Sequence, residues 1–173
     1  MTTPADPHWK PTILAKRNTQ INSIPPSWRL PENALKDPSA SSIQVIQSSG
    51  ILTPDELAWT ETTDIRELVS LITSRRVSSE QLTTAFCKRA AIAQQVTNCL
   101  TEIFFDKALS DARILDQHLE RTGKVVGPLH GIPVSVKDRF DVEGVDTTVG
   151  KLIPNTVHFL AILLFSPESS SQY

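Results

Sequence analysis

Helix starts and stops restrict what this chain can fold into more than any other feature. They recur at short intervals between Thr53 and Gly123. In "TPDE", Thr53 is placed as a cap and Glu56 completes a capping box. Pro54 suits the first helical position, where a backbone N–H would have no partner anyway. Asp64 opens a second helix, in which Ile65, Leu68, Val69 and Ile72 fall at i, i+3, i+4 and i+7 and share one face. Ser78 and Gln81 form another capping box ahead of "LTTAFCKRAAIAQQV". Leu82, Phe86 and Ala93 mark one face there, with Ala85 and Ala90 beside it. A fourth helix carries Ala108, Ala112, Leu115 and Leu119 on one face and stops at Gly123, which tolerates the left-handed backbone of a helix end.

Two short runs break this helical pattern. "CLTEIFF", between the third and fourth helices, is rich in branched and aromatic residues and predicts a strand. "IPVSVK", after the turn "VVGPLHG", predicts another, ending at Lys137. The order is helix, helix, helix, strand, helix, strand. It implies an α/β body whose sheet is only begun within these residues. No internal repeat is visible.

The flanks differ from this middle. Residues 1–52 carry many prolines and serines and little periodicity, which predicts an extended N-terminal arm with Trp9 and Trp28 as its anchors, the alternative being a disordered tail. The α/β body is expected over 53–150. After Gly150 comes "KLIPNTVHFLAILLFSPESSSQY", an apolar run followed by a serine-rich stretch, and 151–173 is read as a tail unrelated to the body.

Composition excludes several function classes. Lys+Arg is 17 and Asp+Glu is 19, for a net charge of -2. Nucleic-acid binding leaves a basic patch or stripe, so no nucleic-acid partner is expected. The longest apolar run, "FLAILLF", falls well short of the roughly 20 residues of a membrane span, and no membrane association is expected. The first residues, MTTPADPHWK, are polar and proline-interrupted, unlike a signal peptide. Cys87 and Cys99 are too few for a disulfide framework and read as buried free thiols. A reducing, cytoplasmic location is the expectation.

Few motifs carry chemistry. "GVDTTVGKL" superficially resembles a phosphate loop, but five residues separate Gly144 from Gly150, and Leu152 stands where a magnesium-binding hydroxyl is needed. His8, His118, His130 and His158 are scattered, with no Cys-x-x-Cys, so no metal is expected. The serine runs "SSG" and "SSS" lie in no nucleophile elbow.

Lys137 is the remaining candidate, and its position admits two readings. A lysine ending a strand commonly holds its head in water. A lysine desolvated enough to lose its proton is instead a general base for a hydroxyl nucleophile. Ser135 is the nearest hydroxyl, on the same face of a strand and about 6–7 Å along it. No oxyanion donor accompanies that pair.

The stretch "GPLHGIPVSVKDRFDVEGVDTTVG" closely resembles the amidase signature family. That pattern has a Gly-Pro-Leu-x-Gly-x-Pro turn, a strand ending in Lys-Asp, and a Gly-x-x-Thr-Thr-x-Gly loop, all found here. Upstream, "IPPSWRLP", "LTPDELAWTETTDIRELVSLITSRRVSSEQLTTAFCKRAAIAQQVTNCLTEIFFDKAL" and "DQHLERTGKVVGPLHG" resemble the fungal acetamidase branch. The resemblance covers about residues 9–150, with several motifs agreeing in order and spacing.

The resemblance implies the N-terminal helices and first strands of a mixed sheet covered by helices. It implies hydrolysis of a small carboxylic amide to an acid and ammonia or an amine, by a Ser–cis-Ser–Lys triad and without a cofactor. Lys137 takes the place of the family's lysine. Some family enzymes dimerise, so a homo-oligomer is compatible with it. Both family serines lie further along, in a "GGSSGG"-like loop that these 173 residues do not contain. The expectation is therefore an inactive chain, from a truncated gene model, a retained intron, a frameshift near codon 150 or a decayed gene. The alternative is a non-catalytic fragment that binds a full-length homologue.

Overall fold

Helix α5 (Ser79–Thr97) is the axle on which the other elements are mounted. The structure is a computed structural model, and it describes residues 9–35, 40–140, 142–145 and 147, with Asn33 and Leu35 as backbone only. Around α5 stand α1 (Lys10–Asn22), α2 (Ser42–Ser48), α3 (Pro54–Glu61), α4 (Ile65–Thr73) and α6 (Phe105–Thr122). Short 3-10 turns span Pro26–Trp28 and Glu32–Leu35. Helices α2, α3 and α6 and the Pro26–Trp28 turn all pack directly on α5.

Both ends of α5 are chemically closed. The Ser78 hydroxyl accepts the Gln81 N–H at 3.0 Å, and the Gln81 side chain accepts the Ser78 N–H at 2.9 Å. At the far end Asn98 turns left-handed, φ 51°, and its N–H bonds the Gln94 carbonyl at 2.8 Å. Asparagine tolerates that conformation better than most side chains, so the helix stops there. The same capping-box geometry opens α3 at Thr53 and Glu56, as the sequence predicts.

The core forms two clusters. Leu68, Ile72, Val77, Leu82 and Leu119 bury together, with Trp59, Leu71, Phe86 and Ile132 packed against them. Leu30, Val45, Ile46 and Ile92 form the second, covered by Ile51, Leu52, Leu57 and Val96. Each fully buried aliphatic side chain contributes about 1.5–3 kcal/mol. Ala85 and Ala91 are wholly buried on α5, and their small side chains let neighbouring elements approach its backbone.

The N-terminal residues are not an extended arm over their described length. They carry α1, α2 and the two 3-10 turns, and Leu30, Val45 and Ile46 belong to the core. The signal for α2 was present as "SSIQ", where Ser41 and Gln44 make a full capping box. Helix α1 buries no residue, which is why periodicity did not reveal it. Its Gln20 amide donates to the Leu100 and Thr101 carbonyls at 3.2 and 2.6 Å, and so ties it to the loop after α5. Trp28 is half-buried, its ring 5.7 Å from that of Phe105, whereas Trp9 is exposed.

Neither expected strand forms among the described residues. Cys99 to Phe104 joins α5 to α6 without a ladder, and Phe105 is already helical. Ile132 to Lys137 also lacks a ladder. A strand is defined by backbone bonds to a neighbour, and branched residues alone do not supply one. The mixed sheet is therefore absent from the described residues. The tail 151–173 and most of "GVDTTVG" lie outside them. No helix among the described residues is long and apolar enough to cross a membrane.

Candidate functional site

The candidate lysine leaves the helical body through the turn Val126–Ile132. In that turn the His130 N–H bonds the Gly127 carbonyl at 3.2 Å and the Ile132 N–H bonds the Leu129 carbonyl at 3.1 Å. The Val126 N–H also donates to Nδ1 of His130 at 3.2 Å. His130 is 2% exposed, so its ring is the plug of the turn. Burial lowers its pKa, the neighbouring Asp116 opposes that, and His118 reinforces it.

Gly131 follows, with φ 74°, a backbone conformation that favours glycine. A β-carbon on it would lie 2.3 Å from Ser79 Oγ and 3.0 Å from Ile72 Cδ1. The chain is thus pressed against the first residue of α5, where no larger side chain fits. Ile132 then enters the first core cluster.

Beyond Ile132 the segment rises from the body. Val134, Ser135, Val136 and Lys137 are exposed. The Lys137 carbonyl accepts the Arg139 and Phe140 N–H groups at 2.7 and 3.1 Å, so a tight turn follows the lysine directly. Nothing among the described residues buries the amine. Ser135 is equally exposed, and no described group forms an oxyanion-binding pair with it.

The N-terminus of α5 holds the polar groups that sequence reasoning missed. Asp116, on α6, accepts the Ser79 N–H at 2.7 Å and the Glu80 N–H at 2.9 Å, one on each carboxylate oxygen. With the Ser78 hydroxyl on Gln81, the three amides that open α5 are all satisfied. Such long-range capping leaves no local signal, because Asp116 lies far along the chain from Ser79. The hydroxyl of Ser79 and Nε2 of His130 are buried without a partner among the described residues.

An open groove of about 380 Å³ lies elsewhere, lined by Thr53, Asp55, Glu56, Trp59, Glu80, Gln81 and Thr84. Two of its carboxylates are already engaged. Glu56 pairs with Lys88 at 2.7 Å and Glu80 with Arg113 at 2.7 Å. No residue of the lysine segment lines it. Among the described residues no three His, Cys, Asp or Glu side chains are grouped to hold a metal.

The family model described as Amidase matches residues 81–156, which include most of α5, all of α6 and the lysine segment. An amidase of Gibberella moniliformis is 43% identical over 150 residues, covering 84% of this chain and 28% of its own length. An acetamidase of Emericella nidulans is 42% identical over 142 residues, covering 82% of this chain and 25% of its own. Among solved structures, a fatty acid amide hydrolase superposes with a TM-score of 0.69 at 31% identity, covering 81% of this chain and 27% of that one. The chain spans about a quarter of the length of these relatives. The matched region, the matched helical frame and the shared residues agree, and each makes this chain similar to amidases.

Proposed function

We propose that this chain supplies the lysine-bearing N-terminal portion of an enzyme that hydrolyses small carboxylic amides, with Lys137 as its base. The observation that carries the reading is Lys137 itself, at the end of "GPLHGIPVSVKD" and inside the matched region. A neutral lysine amine takes a proton from a bridging serine, which takes one from a second serine. The second serine's oxygen then attacks the amide carbon. Backbone N–H groups hold the oxyanion, the C–N bond breaks, and the nitrogen leaves as ammonia or an amine carrying the relayed proton. Water then releases the acid from the acyl-enzyme. Every atom is supplied by amide, water and side chains, so the scheme calls for no cofactor.

The two serines and the oxyanion hole belong to a glycine-serine loop that these residues do not contain. By itself, the 173-residue chain is therefore proposed to be inactive. The exposure of Lys137 fits this, since a lysine base works only when desolvated. A second reading, a non-catalytic chain that binds a full-length homologue, is favoured by Val134, Val136 and Phe140, which are 70%, 45% and 49% exposed.

A hybrid enzyme tests the catalytic reading. Residues 24–150 replace their counterpart in the Gibberella moniliformis amidase, and ammonia release from acetamide is measured. Lys137→Ala is expected to cost about 100- to 10,000-fold in rate. Lys137→Arg should fail as badly, because arginine keeps charge and reach but never gives up its proton. A hybrid that retains its rate with either substitution refutes the assignment. Hydrolysis by the 173-residue chain alone refutes the inactivity.

A further inference from the structure

Three side chains and one glycine that amide hydrolysis leaves unused meet where the lysine segment departs from the helices: Ser79, Asp116, His130 and Gly131. We infer that His130 and Gly131 are positioning residues for Lys137, keying the start of its segment into the N-terminus of α5. This rests on the reading of Lys137 as the base.

The geometry leaves the segment few other points of attachment. From Val134 to Lys137 every residue is exposed and no ladder forms among the described residues. Among the described residues, the attachment of this segment to the helices therefore lies at residues 130–132. Gly131 fixes the position, since its approach to Ser79 Oγ leaves no room even for a methyl group. Ser79 cannot retreat easily, because its N–H is held by Asp116 at 2.7 Å. His130 fixes the orientation, since its ring is buried and closes the turn through Val126.

The hydrogen bond also assigns the tautomer. With Nδ1 accepting from Val126, the ring proton of a neutral imidazole sits on Nε2. A charged ring would set an N–H against the Val126 N–H and open the turn. The titratable groups that act on it are Asp116 and His118, both on α6, whereas the carboxylate of Glu80, next to Ser79 on α5, is paired with Arg113. Asp116 is committed to two backbone amides.

Two variants separate the roles. Leucine at 130 fills the space without an acceptor, whereas the Oδ1 of asparagine sits close to where Nδ1 was. In the 173-residue chain, amide hydrogen exchange is followed residue by residue. His130→Leu should speed exchange at Val126, His130 and Ile132 by about three- to tenfold, the worth of a lost hydrogen bond, with α5 and α6 unchanged. In the hybrid enzyme, the same change should lower kcat by about 100-fold, the cost of a misplaced group, while KM moves by less than about threefold. His130→Asn should return both to near the parent values.

Unchanged exchange refutes the anchor whatever the chain catalyses. Faster exchange with an unaltered kcat refutes the link to Lys137, as does an asparagine variant as impaired as leucine. A hybrid that keeps its rate with Lys137→Ala refutes the assignment of Lys137, and with it the catalytic half of the inference. The exchange result judges the anchor separately.

Discussion

Replacing Asp116 with alanine removes the bridge between α6 and the first turn of α5, and the structure sets how much should be lost. The carboxylate holds two backbone N–H groups, at 2.7 and 2.9 Å. The two are not equivalent. Ser79 is fully buried, so water cannot replace the lost acceptor, and an orphaned buried donor costs about 1–3 kcal/mol. Glu80 is half-buried and can be rehydrated, so its loss is a few tenths. A negative charge at a helix N-terminus adds about 0.3–1 kcal/mol. The expected destabilisation is about 2–4 kcal/mol, or about 5–15 °C in Tm for a chain of this size. Asp116→Asn keeps one acceptor and loses the charge, and should fall about midway. The assay is urea unfolding followed by circular dichroism, with equal slopes required before midpoints are compared. A loss below about 0.5 kcal/mol for the alanine variant would show that the first turn of α5 does not depend on Asp116. An asparagine variant as weak as alanine would refute the two-oxygen geometry.

Further expectations follow from two buried titratable groups, His130 and Cys87. The pKa of His130 is lowered by burial, so the unfolded chain binds the extra proton first as pH falls. Its contribution to stability is full above the unfolded value of about 6.5 and fades as pH drops through the lower folded value. The urea midpoint should therefore decline between neutral pH and pH 5 by more in the parent than in His130→Asn, and equal declines would remove His130 from the account. Burial pushes the Cys87 thiol up to about 12, whereas Cys99 is exposed. Alkylation at pH 8 should mark Cys99 alone until denaturant is added, and comparable labelling of Cys87 would contradict its place in the core. The Cys87 contribution to stability is full below about pH 8.5 and fades as pH rises from there towards 12.

The legible parts of this fold were those whose causes are local. The capping boxes at Thr53 and Ser78 need only four consecutive residues, and both are present. The stripe through Leu68 and Ile72 and the stop at Gly123 were readable for the same reason. What was missed depends on distant partners. The side chain of Gln95 accepts the Leu30 N–H at 2.7 Å and donates to the Trp28 carbonyl at 2.9 Å, so it binds to α5 a segment that looks like loose arm in the sequence. Asp116 is a cap supplied from another helix. The strand assignments at "CLTEIFF" and "IPVSVK" failed for the converse reason. Composition favours a ladder there, and no neighbour forms one among the described residues. At the candidate site, Lys137 was legible only as a motif. The socket that Ser79 and Ile72 form around Gly131 joins three separate parts of the chain, and no local pattern announces it.

The axle arrangement of α5 also bears on synthesis. Helices α2, α3 and α6, which pack on it, all precede Gly131 in the chain. Helical contacts between neighbours in sequence form quickly, and chains emerge from the ribosome N-terminus first. Helices α4 and α5, which carry Ile72 and Ser79 of the socket, are likewise translated before Gly131. When Gly131 and then Lys137 leave the exit tunnel, their seat can already be in place, and the lysine is delivered onto a finished mount rather than into a collapsing one.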